Sequence, residues 1–254
     1  MAELGRSIET LAERFREFAS AQERAIEARE AALRLRGLLF ASVSHDLKSP
    51  LNAVLGFCAL LDIEPLEHGQ RENVAIIERR ARELLALIET ILDAARIEAR
   101  QLALHREMTL VDEVIDEAVR RGDDLGPMDA TSVTLRVVPG LPMVKWGGAR
   151  VAQAIAALIG HSKRLSPNGG VEVVARRGRI GVEVLVEEPS GAIPPEELIA
   201  LLDARNAATA PRRLGGLALG LSLARSLIEL HGGSLEVARA NHGPGSVFVV
   251  QLPR

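Results

Sequence analysis

Two stretches with apolar side chains at heptad spacing constrain most strongly what this chain can fold into. In the second, from about residue 70 to 101, the apolar residues step by three and four positions: Val74, Ile77, Ala81, Leu84, Ile88, Ile91 and Ala95. The first carries a similar stripe at Val43, Leu47, Leu51, Val54, Cys58 and Leu61. This spacing predicts two helices that each need an apolar partner. Pro65 and Gly69 separate them, so we predict an antiparallel helical hairpin.

One hairpin with a single apolar seam on each helix does not close a core. Two such hairpins, one from each of two chains, make a four-helix bundle, so the pattern predicts a homodimer. Upstream, residues 3–36 are rich in Ala, Glu and Arg and contain no proline. Their apolar spacing favours a coiled coil with one phase slip over a solvated charged helix, because it runs unbroken into the next helix.

From about residue 102 the pattern changes to mixed helices and strands. Helical spacing occupies residues 110–119, 150–164 and 219–230, and strand patterns occupy 133–138, 171–176, 182–187, 234–238 and 247–252. A β-hairpin is expected at 171–187, and mostly antiparallel strands covered by helices predict an α/β sandwich. The chain is therefore predicted to be α+β, with a coiled coil at 1–36, a helical hairpin at 37–101 and the sandwich at 102–254.

Composition excludes several classes of protein. The net charge of −3 gives no indication of nucleic-acid or anionic-membrane binding. The single cysteine, Cys58, lies on an apolar stripe, so we expect it in the core and expect no disulfide framework or metal-ligand cluster. No apolar run is long enough for a membrane span and no signal peptide opens the chain, so we expect a cytoplasmic protein.

The first of the two helices carries a candidate nucleophile. His45 lies roughly opposite the apolar stripe, Asp46 is beside it, and Ser49 and Asn52 follow on the same side. A histidine is largely neutral near pH 7, and a carboxylate can orient its ring and accept its proton. A solvated surface histidine without function is the alternative from chemistry alone.

The sequence around this histidine reads Ser44-His45-Asp46-Leu47-Lys48-Ser49-Pro50-Leu51-Asn52. It resembles the phosphoacceptor box of sensor histidine kinases, typically Ser-His-Glu-Leu-Arg-Thr-Pro-Leu. The resemblance implies that His45 accepts the γ-phosphoryl group of ATP and passes it to an aspartate of a response regulator. It also implies that Asp46 helps proton transfer and that Ser49 orients water for regulator dephosphorylation.

The second half resembles the ATP-binding domain of the same family, so that the resemblance extends over about residues 37–254. It is carried by segments 150–170, 193–198, 215–221, 229–233 and 243–248. The implied fold is the α/β sandwich of the histidine-kinase ATPase. The implied nucleotide site would include His161, Arg164, Glu188, Gly216 and Gly220.

This second half departs from the family at the positions that carry nucleotide chemistry. Two family asparagines, one a magnesium ligand, are replaced by Ala157 and His161, and imidazole is a poor ligand for magnesium. The first glycine box, Asp-x-Gly-x-Gly in the family, reads Glu188-Pro189-Ser190-Gly191-Ala192. The second box has Ala218 at its middle glycine. We therefore expect weakened or lost ATP and magnesium binding, as in a pseudokinase.

Three functions stay open. The first is phosphoryl transfer between His45 and a response regulator without local ATP hydrolysis. The second is ATP-dependent histidine autokinase activity with a divergent pocket. The third is a scaffold that binds a partner histidine kinase or a regulator, with His45 incidental. The expected partners are a second copy of the chain, a receiver domain and, in some of these cases, a partner kinase.

Overall fold

The structure is a computed structural model that describes residues 2–125, 132–166, 170–202, 215–240 and 244–254. Helix α1 spans Ala2–Leu61 and α2 spans His68–Glu98, and the two pack together as the predicted hairpin. At 1.5 Å per residue, the 60 residues of α1 extend for about 90 Å. The backbone N–H of Glu67 donates to Oε1 of Gln70 at 3.1 Å, which helps α2 begin after the proline-containing turn.

The apolar stripes of the hairpin are only half covered within one chain. Cys58, Ala81, Ile88 and Ala95 are buried, as their place in the stripes predicts. Other residues of the stripes are exposed, with 53% of Val43 and 50% of Ile77 accessible. A second hairpin would cover these residues. The homodimer stays a prediction, and these exposed residues are its expected interface.

The second unit begins after Gln101. Its elements are β1 (Glu107–Thr109), α3 (Val111–Asp124), β2 (Val133–Val137), β3 (Val144–Trp146), α4 (Gly148–Leu165), β4 (Val171–Arg177), β5 (Gly181–Glu188), α5 (Pro195–Leu201), α6 (Gly215–Leu230), β6 (Ser234–Arg239) and β7 (Ser246–Pro253). Five strands form one sheet in the order β2-β4-β5-β7-β6, in which only the β2–β4 pairing is parallel among the described strands. Strands β1 and β3 form a separate antiparallel ribbon.

The core of this unit lies between the sheet and helices α3, α4 and α6. Alternate residues of β5 and β7 are fully buried, among them Val184, Val186, Phe248 and Val250. The rest of the core is mostly Val, Leu, Ile and Ala, together with Trp146. The predicted α/β sandwich is confirmed, and β1, β3 and α5 are elements that the sequence patterns did not predict.

Among the described residues, none of the helices is both long enough and apolar enough to cross a membrane.

Candidate active site

The candidate phosphoacceptor lies within the continuous helix α1. Positions 45, 49 and 52 share one side of this helix, and Asp46, Ser49 and Asn52 are exposed. Just past His45, the ammonium group of Lys48 contacts Oε1 of Glu89 on α2 at 2.7 Å. This ion pair links α1, three residues past His45, to α2.

A cavity of about 530 Å³ separates this part of the hairpin from the second unit. Lys48 and Glu89 line it from the hairpin, and Ala157 of α4 and Gly220 of α6 line it from the other side. Two positions that the sequence placed at a nucleotide site therefore face the helix that carries His45. A cleft of this size is within the range of small-molecule sites.

Glu188, at the end of β5, lies in a buried polar cluster. Its Oε2 accepts hydrogen bonds from the backbone N–H and the hydroxyl of Ser190, at 3.0 and 2.6 Å. Its Oε1 is buried and has no hydrogen-bond partner among the described residues. The hydroxyl of Ser246, the residue opposite Glu188 on β7, has none either. An unpaired buried acceptor costs about 1–3 kcal/mol, so a ligand that donates a hydrogen bond would fit here.

The turns on either side of Glu188 depend on glycine. Gly191 has a φ of +66°, and a Cβ there would lie 2.6 Å from the carbonyl oxygen of Pro244. At Gly245 a Cβ would lie 1.8 Å from the carbonyl oxygen of Glu188. The turn after β5 thus keeps one left-handed glycine, although Ser190 and Ala192 replace the two that the family uses.

His161 lies inside the second unit. Its ring meets the ring of Phe248 edge-on, with centroids 5.6 Å apart, and neither nitrogen has a hydrogen-bond partner among the described residues. Burial, and secondarily the charge of Arg164, lowers the pKa of His161 to about 3. A neutral imidazole packed on an aromatic ring does not suit magnesium, which prefers oxygen ligands. The described residues contain no group of three or more His, Cys, Asp or Glu side chains that could hold a metal ion.

The remaining predicted residues lie at the edges of this region. Arg164 donates from Nη1 to the carbonyl oxygen of Leu125, just after α3. Burial lowers the pKa of Arg164, and the nearby carboxylate of Glu83 partly offsets that effect. Gly216 belongs to the first turn of α6. Residues 167–169, 203–214 and 243, which include Arg212 and Arg213 of the segment between the glycine boxes, lie outside the described residues.

Sequence reasoning missed a contact between the two units. Asp93 of α2 is buried and bonds to Arg150 and Gln153 of α4. The available signal was a carboxylate between Leu92 and Ala95, two apolar residues of the hairpin.

Comparison with known proteins identifies two families along the chain. Residues 35–100 match the His Kinase A (phospho-acceptor) domain family. Residues 147–254 match the family of histidine kinase-, DNA gyrase B- and HSP90-like ATPases. The histidine protein kinase DivJ of Caulobacter vibrioides is 34% identical over 248 residues, which are 95% of this chain and 41% of that protein. The signal transduction histidine-protein kinase BarA of Escherichia coli is 30% identical over 89% of this chain and 25% of its own length.

The chain therefore spans about two fifths or less of these curated relatives. Among solved structures, full-length ShkA in complex with AMPPNP aligns with a TM-score of 0.64 and 23% identity, over 86% of this chain and 46% of that one. The Acinetobacter baumannii histidine kinase AdeS aligns with a TM-score of 0.52 and 17% identity, over 82% of this chain and 97% of that one. At these identities the two structures show a shared fold.

Proposed function

Because this chain belongs to the sensor histidine kinase family, we propose that it moves phosphoryl groups between His45 and a response-regulator aspartate, with its nucleotide-dependent step weakened or lost. In the direction from regulator to histidine, the acyl phosphate bond of the aspartate breaks, a phosphorus–nitrogen bond to the imidazole forms, and the carboxylate is released. Neither direction requires a nucleotide.

The proposal gives each residue near His45 a role. A neutral imidazole is the nucleophile, and the carboxylate of Asp46 helps to orient it and to take its proton. Ser49 holds the water that would dephosphorylate the regulator, and Asn52 extends the polar side of α1. The exposure of Asp46, Ser49 and Asn52 leaves room for a receiver domain to dock.

The packing of His161 against Phe248 is the observation that carries the second part of the proposal. ATP with magnesium would supply a γ-phosphoryl group when bound, but this buried neutral ring offers magnesium no oxygen. The changes at Ala157, Glu188, Ser190, Ala192 and Ala218 add to the loss. If each costs roughly 1–3 kcal/mol of binding, together they could remove about 5 kcal/mol or more, which is at least several thousand-fold in affinity.

A second candidate is ATP-dependent autokinase activity. The unpaired Oε1 of Glu188 favours it, because this buried acceptor could take a hydrogen bond from the amino group of adenine. The cavity between α1 and Gly220 favours it as well, because it leaves space between the two units. In this case compensating contacts would replace the missing ligands.

The proposed organisation follows the predicted domains. Residues 1–36 relay a signal to the hairpin, residues 37–101 dimerise and carry His45, and residues 102–254 form a degenerate ATPase-type unit. The expected partners are a second copy of the chain and a receiver domain. A partner histidine kinase is a further candidate partner, both for phosphoryl transfer through His45 and for a scaffold.

The test of this proposal is transfer from a regulator. A panel of receiver domains, each labelled on its aspartate, is incubated with the purified protein, and acid-labile label on the protein is followed. His68→Gln is the matched control, since His68 is an exposed histidine on α2. The proposal expects label on the parent and on His68→Gln, and none on His45→Ala. Label that persists in His45→Ala, or no label from any receiver domain, would contradict it.

A further inference from the structure

We propose that Asp93 is a positioning residue, which clamps the ATPase-type unit onto α2 and so sets its place relative to the helix that carries His45. The consequence for His45 rests on the function proposed above, whereas the clamp itself rests on geometry. The clamp stabilises the docked arrangement in which the N-terminal turn of α4 lies against Asp93 of α2.

The clamp joins Asp93 of α2 to two side chains of α4, and Nη1 of Arg96, on α2 itself, lies 3.9 Å from Oδ1 of Asp93. Oδ2 of Asp93 accepts a hydrogen bond from Nη1 of Arg150 at 2.5 Å and one from Nε2 of Gln153 at 2.9 Å. Nη1 of Arg150 also donates to Oε1 of Gln153 at 2.7 Å. The side chain of Asp93 is only 6% exposed, so its charge is held away from solvent.

The apolar surroundings of Asp93 make this network favour one docked arrangement of the two units. Leu92 and Ala95 of α2 are buried beside Asp93, and α2 packs against α6. A carboxylate in such a place is tolerated only when it is paired, since an unpaired buried charge is strongly unfavourable. Arg150 lies in the first turn of α4, where the helix dipole also favours a nearby carboxylate. Docking in another register would separate Asp93 from Arg150 and Gln153, and would leave it the longer ion pair with Arg96 of its own helix.

The two units contact each other around Asp93 and between α2 and α6, and a gap remains beside α1. The cavity of about 530 Å³ extends from Asp93 to Lys48, with Ala157 and Gly220 on its far side. The ATPase-type unit is thus fixed beside α2 while it stands away from α1 near His45. The contact at Asp93 therefore determines how closely the second unit can approach the helix that carries His45.

A charge swap tests the clamp in the whole protein. Asp93→Arg places two positive charges at the contact, and Arg150→Asp places two negative charges there. The double variant again pairs opposite charges, with the positive charge now on α2 and the negative charge on α4. Removing one partner of a buried pair is expected to shift the ratio of docked to released units by on the order of 100-fold. The readouts are the radius of gyration from small-angle X-ray scattering and the rate of cleavage after Glu98 by a glutamate-specific protease, since Asp93→Arg would add a tryptic site of its own.

The expected result is a larger radius of gyration and faster cleavage in each single variant, with return toward the parent in the double variant. Emission of the single tryptophan, Trp146, which is buried in the second unit, reports that this unit stays folded. Glu172→Arg is the control, because it breaks an exposed ion pair with Arg136 within the sheet.

The milder variant Asp93→Asn serves if a charge reversal unfolds the second unit. The clamp would be refuted if folded single variants, or folded Asp93→Asn, stayed as compact as the parent. It would also be refuted if the folded double variant stayed as open as the singles. None of these readouts involves phosphoryl transfer, so they judge the clamp even if transfer to His45 fails.

Discussion

The ring of His161 on α4 stands edge-on to the ring of Phe248 on β7, with centroids 5.6 Å apart and planes at 79°. Both side chains are fully buried, so this contact joins helix and sheet in the interior of the second unit. A residue at a position that the family resemblance assigns to magnesium binding is thus part of the packing of the core.

The buried ring of His161 should make the second unit sensitive to acid. The pKa of His161 is lowered to about 3 in the folded state, from 6.5 when exposed. Between these values the unfolded chain binds a proton that the folded chain does not, so stability falls as the pH falls below 6.5. From pH 7 to pH 5, His161 should cost about 2 kcal/mol of unfolding free energy. Urea unfolding followed by Trp146 emission measures this loss.

Between pH 7 and pH 5, the unfolding free energy of His161→Leu should fall by about 2 kcal/mol less than that of the parent. His68→Gln is the control, because it removes an exposed histidine of α2 that lies outside the second unit. Equal losses for the parent and His161→Leu would show that His161 is protonated without cost.

Two glycines near the candidate nucleotide site should respond oppositely to alanine. Gly245→Ala would place a Cβ 1.8 Å from the carbonyl oxygen of Glu188, and should cost about 3 kcal/mol or more. Gly220→Ala meets nothing within 4 Å inside α6, and should gain about 0.5–1 kcal/mol from higher helix propensity. Urea midpoints from Trp146 emission test both, and equal shifts would contradict the described turn.

The exposed stripe of the hairpin should hold the dimer together. Ile77 and Ile199 are each 50% exposed, the first on the stripe and the second on α5 of the other unit. Ile77→Glu would bury two charges in a dimer interface, and should weaken dimerisation by at least tenfold. Sedimentation equilibrium over a dilution series measures this effect, with Ile199→Glu as the matched control. Dimers of unchanged strength in Ile77→Glu would exclude this stripe as the interface.

Restoring the family residues should restore nucleotide binding. The double variant His161→Asn with Glu188→Asp supplies an amide oxygen and a shorter carboxylate, and should bind ADP with magnesium at least tenfold more tightly than the parent. Isothermal titration calorimetry measures both affinities, and His161→Leu with Glu188→Asp controls for the loss of imidazole alone. A parent that already binds tightly would refute the argument from the missing ligands.

Much of the architecture could be predicted from periodicity. The heptad stripe from Val74 to Ala95 predicted α2, and the strand patterns within residues 171–187 predicted the hairpin of β4 and β5. The short strands β1 and β3 could not be predicted in this way, since three residues are too few for alternation to show. The α5 helix has only seven residues, and a proline at its first helical position was the available signal for a helix start.

The candidate site was less accessible to sequence reasoning. Motif spacing placed His45, Ser49 and Asn52 on one side of a helix, and these positions do share one side of α1. The inward packing of His161 depends on Phe248, which is distant in sequence. A local sequence pattern cannot predict such a contact. The same is true of Asp93 and Arg150, whose contact exists only when two separately predicted units are docked.

The central claim is that the chain keeps its phosphoryl acceptor and has lost the nucleotide-dependent step. Its most direct test is incubation of the purified protein with magnesium and γ-labelled ATP, alongside His45→Ala, followed by measurement of acid-labile label. We expect no label above the level of His45→Ala, although the same preparation gains label at His45 from a phosphorylated receiver domain. Label from ATP that depends on His45 would contradict the account and establish a working autokinase.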